Sequence, residues 1–260
     1  MSVPSFESVK GSYQSLWDTL VPTPSRAPEL QQIAHRALDH KTSYQAVAKT
    51  VWGTPDYWYV VALIDQMEGG GGANTYLGNG QSLSRVTTET PAGRGPFDNF
   101  HDGALDALRY DGLDKIHDWS AASVGYHLEA YNGWGYLSKP IVSPYIASWS
   151  NKYTKGKYVK DHDYDADAVS QQPGALTILK VLSTLDKTIN LGGTPVAPPA
   201  PTPEGPTPVP EKLNLDFSTL EPIVEKLLPV VGEIFPPAAP FMPLIIMLAR
   251  TLLHAKPPAA

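Results

Sequence analysis

At 260 residues, 42% hydrophobic and 18% charged, the chain is long enough for one substantial domain and an additional segment. A formal charge of −6 argues against nucleic acid as the main partner, because affinity for phosphate backbones rests on clustered Lys and Arg. The absence of cysteine excludes disulfides, thiolate metal sites and cysteine nucleophiles.

Residues 1–24 carry Phe6, Trp17 and Leu20 but no continuous apolar run, so a secretory signal is not expected. The first clear helix starts near Pro28, a favourable first helical residue, and runs through Leu30, Ile33, Ala34, Ala37 and Leu38. A second is expected over 43–51, with Tyr44, Val47, Ala48 and Val51 on one face. Thr54, Pro55 and Asp56 then form a strong start signal as N-cap, first residue and first-turn acid. The helix that follows, through Trp58, Val61, Ala62 and Ile64, reads as buried on most sides and ends at Met67-Glu68, before four glycines.

Residues 73–96 change character. A Gly78-Asn79-Gly80 turn and a β-branched run from Ser82 to Thr90 predict a small hairpin or irregular β lobe. Helical patterning returns over 103–110 and 119–131, where Ala121, Val124, Leu128 and Tyr131 share a face. A Tyr-rich loop region (137–165) precedes a last core helix expected over 166–185. The reading is an α+β fold, mostly α-helical, with three divisions: a domain over 1–190, a Pro-rich linker over 191–211, and an apolar helical tail over 212–260. The eight prolines between Pro195 and Pro210 make the linker a semi-rigid spacer. The tail carries two apolar stretches, 213–235, which is amphipathic through Asp216, Glu221, Glu225 and Glu233, and 241–254, which at about 14 residues is shorter than the roughly 20 that span a bilayer. Membrane association and self-association through 213–254 are both open.

A Glu at the C-terminal end of a buried helix suits a general acid. Burial and the negative end of the helix dipole both disfavour its ionised form. That keeps a proton ready for a glycosidic oxygen. The bland alternative is a solvated residue at a helix end.

Several motifs in one order bear on that choice. They are Ile64-Asp65-Gln66-Met67-Glu68-Gly69, Leu77-Gly78-Asn79-Gly80, Pro91-Ala92-Gly93-Arg94, Ala104-Leu105-Asp106-Ala107-Leu108 and Leu128-Glu129-Ala130-Tyr131-Asn132-Gly133-Trp134-Gly135-Tyr136. Ser143-Pro144-Tyr145, Ser148-Trp149-Ser150-Asn151-Lys152-Tyr153 and Gly156-Lys157-Tyr158 follow. Over residues 27–185 this series resembles a family of bacterial and phage-encoded lysozyme-like muramidases of the endolysin type. The resemblance implies a lysozyme-like domain with a small β-hairpin lobe. It also implies that Glu68 is the acid and that the 131–136 loop lines a sugar groove. Peptidoglycan is then the partner, and the reaction is cleavage of the β-1,4 bond between N-acetylmuramic acid and N-acetylglucosamine. Release from the cytoplasm to the periplasm and wall would use a holin-type route.

The chemistry of that loop is apt, since aromatic rings stack on sugar faces and the Asn132 amide can both donate to and accept from an N-acetyl group. Tyr131 is the residue best read as core, and Trp134, between two glycines, the one best placed to touch substrate; Tyr136 completes the set. The chain departs from the family pattern at three places: Asp65 stands for a His, Gly69 for a Ser, and Gln81 for an Asp after the turn. The Gln81 change leaves Glu89 as the replacement second carboxylate, with Thr87 and Thr88 able to position a water, and leaves Gln81 for substrate binding. A non-catalytic wall-binding protein, a lytic transglycosylase, and a tail acting as the effector are the rival readings.

The seven histidines show no metal-ligand spacing. Asp161, Asp163, Asp165 and Asp167 alternate but lack the glycine and terminal Glu of a calcium loop, so a solvated acidic loop is the better reading. No nucleophile elbow, P-loop or dinucleotide fingerprint is present, and neither cofactor nor metal is expected.

Overall fold

The computed structural model describes residues 3–160 and 162–192. The linker and tail readings for 193–260, and Asp161 of the acidic loop, lie outside the described residues. What is described is α+β and mostly helical, with eight α-helices and a two-stranded sheet among the described residues. No helix there is long and apolar enough to cross a membrane.

The chain opens with α1 (Phe6–Thr19), which the sequence reading did not anticipate. Phe6, Val9, Tyr13 and Leu16 recur at helical spacing, and Tyr13 is buried where its hydroxyl donates to Glu129 Oε2 at 2.7 Å. After it come α2 (Ala27–Asp39), with Pro28 in its first turn, and α3 (Lys41–Trp52). The Thr54 hydroxyl accepts from the Asp56 N–H, and the 55–57 turn is 3₁₀ before α4 (Trp58–Gly69) begins. Nine of the twelve residues of α4 are buried, so it is the central helix of the core.

Residues 73–96 form the irregular lobe, with no regular hairpin. One isolated bridge joins Thr75 to Ser82, and Phe97 N–H bonds Leu83 O at 2.8 Å. The regular hairpin lies instead in the Tyr-rich region, where β1 (Lys157–Lys160) pairs antiparallel with β2 (Asp163–Asp165). Between lobe and hairpin run α5 (Phe100–Tyr110), α6 (Ala121–Tyr131) and the single turn α7 (Pro144–Ala147). The last helix among the described residues, α8 (Ala175–Leu185), starts nine residues later than the pattern suggested. Pro173 explains the delay: it offers no N–H and keeps Gln172 out of helical backbone. Lys41 at the start of α3 meets Asp186 just past α8 at 2.5 Å, which closes the helical body.

Candidate active site

The end of α4 determines what can happen around Glu68. Gly70 adopts left-handed backbone at φ +79, which only glycine takes without cost, and its carbonyl accepts from Arg36 Nη1 at 2.7 Å. Glu68 is half-buried there, and the Tyr145 hydroxyl donates to its Oε1 at 2.7 Å. Burial pushes the Glu68 carboxyl above the usual carboxylate range; the Tyr145 hydrogen bond pulls it down, and the negative charge of Asp111 pushes it up. Tyr145 itself is held strongly protonated, by burial first and then by Glu68.

Asp111 is the carboxylate that the sequence reading missed. It follows the last residue of α5, is exposed as a residue, and yet has surroundings that push its own pKa up. It acts electrostatically on Glu68, Tyr131 and Tyr145 alike. No local pattern marks it, because only the fold brings the end of α5 to the end of α4.

The irregular lobe meets the Glu68 backbone through Gly80. A Cβ added to this residue would lie 2.1 Å from Glu68 O, and its φ of +71 is again left-handed. The next residue, Gln81, braces the lobe. Its Oε1 accepts from the Thr88 and Glu89 N–H groups at 2.8 and 3.2 Å, and its Nε2 donates to Thr88 Oγ1 at 3.0 Å. Thr87 is buried, with its hydroxyl donating to Pro91 O and accepting from Arg94 N–H, so it is engaged in holding the loop. Thr88 and Glu89 are exposed, and Asn79 Nδ2 donates to the Glu89 carbonyl at 3.1 Å.

The 131–136 loop divides. Asn132 and Tyr136 line a recess together with Tyr145, Lys157, Tyr158 and Gln172; Glu68, to which Tyr145 is hydrogen-bonded, is not among its lining residues. Gln172 Nε2 donates to Met67 O at 2.6 Å, which ties that recess to the end of α4. Tyr131 packs against the core, and its hydroxyl donates to Leu77 O at 2.9 Å. Trp134 adopts φ +60 and packs its ring 5.0 Å from Tyr126, in an aromatic cluster with Phe6. It is thus engaged with the α1 side and is not among the residues lining the recess.

The quoted motifs converge in space. Arg94 of the Pro-Ala-Gly-Arg stretch pairs with Asp106 of α5, which also accepts from Tyr76 at 2.9 Å. Tyr131 joins the Leu77 turn, and Tyr145 joins Glu68. Among the described residues no three His, Asp or Glu side chains gather to hold a metal. In the acidic loop, Asp167 pairs with Lys155 at 2.5 Å, and Asp165 Oδ1 accepts from the Asp167 and Ala168 N–H groups. Compared with protein-family models, with curated proteins and with solved structures, the chain matches none.

Proposed function

We propose that this chain is a lysozyme-like muramidase that cleaves the β-1,4 bond between N-acetylmuramic acid and N-acetylglucosamine in peptidoglycan. The observation that carries the proposal is the setting of Glu68. A carboxyl group whose pKa is raised by burial sits at a helix end, hydrogen-bonded to Tyr145, which also lines a recess with Asn132 and Tyr136. Glu68 protonates the leaving glycosidic oxygen. Asn132 offers its amide to an N-acetyl group, and the tyrosines give faces for the sugar rings. Asp111 supplies negative charge near the positive charge that develops on the ring.

Two closures of the reaction are available: attack by water, or attack by the muramic 6-hydroxyl as in a lytic transglycosylase. One observation favours the second. The position beside the Asn79-Gly80 turn is an amide, Gln81, already committed to the backbone of Thr88 and Glu89, so no carboxylate activates water there. The chain would act on the wall after holin-type release, and its tail would associate with membrane or with itself; tail deletion that leaves vesicle partitioning and oligomeric state unchanged would remove both tail ideas.

Digestion of purified Gram-negative peptidoglycan by wild type and Glu68→Gln, with products read by mass spectrometry, tests the assignment. Reducing-end muropeptides from wild type alone are the result expected of a muramidase, and 1,6-anhydro products assign the transglycosylase closure. Retained wall binding with no products from either protein makes the chain a non-catalytic binder.

A further inference from the structure

The three tyrosines that line the recess beside Tyr145 do not use their hydroxyls alike. Tyr145 donates to Glu68 Oε1 at 2.7 Å, and Tyr158 donates to Gly135 O at 3.0 Å. Tyr136 only accepts. Its hydroxyl oxygen takes the Tyr158 N–H at 3.1 Å, and its own proton has no acceptor among the described residues.

The hairpin explains why that N–H is offered. With two strands in the sheet, the outer edge of β1 carries N–H groups that no ladder takes up. Tyr158 lies opposite Tyr164 of β2, and its N–H turns away from the ladder to Tyr136. The rings hold the two segments together: Tyr136 and Tyr158 pack edge-to-face with centroids 5.2 Å apart, and Tyr158 and Tyr164 do so at 5.4 Å. A Cβ added to Gly135 would lie 3.3 Å from the Tyr158 ring, so loop and strand are already in close contact. Tyr136 is 8% exposed, and its oxygen is fixed by this packing.

A phenol hydroxyl has one proton and two lone pairs. With the backbone N–H on one lone pair, the proton points away from Tyr158 and the hydroxyl becomes a better donor. A largely buried donor without a partner is unfavourable, so a ligand oxygen that takes the proton gains affinity at that point. Tyr136, Asn132 and Tyr158 also line a neighbouring recess with Gly135 and Val159, so a polymer crossing from one recess to the other passes this residue.

We infer that the Tyr136 hydroxyl is a specificity-determining donor to an oxygen of the bound polymer, and that the β1–β2 hairpin acts on the site by holding this donor through Tyr158. The inference rests on the wall-cleaving reading above for the glycan as ligand. It adds a requirement to that reading: the group that meets Tyr136 must accept a hydrogen bond, as a sugar hydroxyl or a carbonyl does and an ammonium does not. Tyr158 is a positioning residue, since it acts through Tyr136.

Co-sedimentation with purified peptidoglycan, on full-length protein carrying Glu68→Gln so that the wall stays uncut, tests this. Two changes at position 136 separate donating from accepting. Tyr136→Phe removes both and should weaken binding about tenfold. A ring-fluorinated tyrosine at the same position is a stronger donor and a weaker acceptor, so it should bind at least as tightly as the unmodified side chain. Burial pushes the Tyr136 phenol up, which keeps the fluorinated ring protonated at neutral pH. The fluorinated protein carries the test if Tyr136→Phe does not fold. Unchanged binding by a folded Tyr136→Phe, weaker binding by the fluorinated protein, or no wall binding overturns the inference. Wall cleavage by wild type is read separately. The expected binding pattern without cleavage refutes the enzymatic reading alone, and cleavage with an overturning pattern refutes this inference alone.

Discussion

The Tyr145 hydroxyl donates to Glu68 Oε1 at 2.7 Å, across 77 residues of sequence. This bond favours the ionised form of Glu68, in opposition to burial. A general acid must be protonated to act, so activity is lost as pH rises through its folded-state pKa. Tyr145→Phe removes the hydrogen bond that favours the carboxylate, raises that pKa, and moves the basic limb of the pH–rate profile upward. Wall digestion followed across pH measures it; an unmoved or lowered limb contradicts the assignment of Glu68 as acid.

Asp111→Asn has the opposite sign. The Asp111 charge helps to hold Glu68 protonated, so its removal lowers the Glu68 pKa and shifts the basic limb downward. The two single variants should bracket the wild-type profile, and their double variant should lie between them. Identical profiles for Asp111→Asn and wild type would show that Asp111 does not act on the acid.

Gly80→Ala tests the contact between lobe and acid. The added methyl would lie 2.1 Å from the Glu68 carbonyl oxygen, a backbone atom that cannot swing aside, and φ is +71. A cost of about 1–3 kcal/mol is expected from strain and overpacking. Because the lobe must move off the end of α4, activity should fall by more than the unfolded fraction explains. Urea unfolding and wall digestion on one preparation separate the two effects.

Asp65→Asn should stabilise the protein near neutral pH. Asp65 is 1% exposed; its Oδ2 accepts from the Tyr44 hydroxyl at 2.7 Å and Ala73 N–H at 2.8 Å, while Oδ1 has no partner. Thr75 Oγ1, also unpartnered, lies beside Gly69 with Asp65 Oδ1. An Asn amide can donate where Oδ1 stood, and Thr75 can accept, for a gain of about 1 kcal/mol. The pH dependence follows from burial raising the Asp65 pKa in the fold. An acid with a raised folded pKa stabilises below its unfolded pKa, and that contribution disappears as pH rises through the folded pKa. The difference between Asp65→Asn and wild type in urea midpoint should therefore grow from acidic to neutral pH; a constant difference rejects the argument.

Helices α2 to α6 were legible in the sequence because apolar residues recur in each at helical spacing or fill it, as in α4, and Pro28, Thr54 and the glycines after Glu68 mark ends of α2 and α4. Helix α1 was not, although Phe6, Val9, Tyr13 and Leu16 keep helical spacing: Gly11 at its middle lowers helix propensity and no side chain caps its start. The β-branched run at 82–90 forms the irregular lobe and not the hairpin because the Gln81 amide and the Thr87 hydroxyl take up hydrogen bonds that a strand would have given to a ladder. Glu68 could be found from its place at a helix end. Tyr145 and Asp111 could not be assigned to it, because each reaches it only through the packing of α7 and α5 against the rest. Trp134, flanked by glycines, looked free for a ligand; its left-handed backbone turns the ring toward Tyr126.

The burial of α4 has a consequence for how the protein wears out. With every residue from Trp58 to Asp65 enclosed, the amides of this helix should be the last to exchange with heavy water. The loop at 73–96, held by side-chain brackets and one bridge, should exchange early. Gentle heating will then loosen the rim around the acid while the acid stays on an intact helix. Activity lost in that range should return on cooling, and permanent inactivation should set in only where α4 itself begins to exchange.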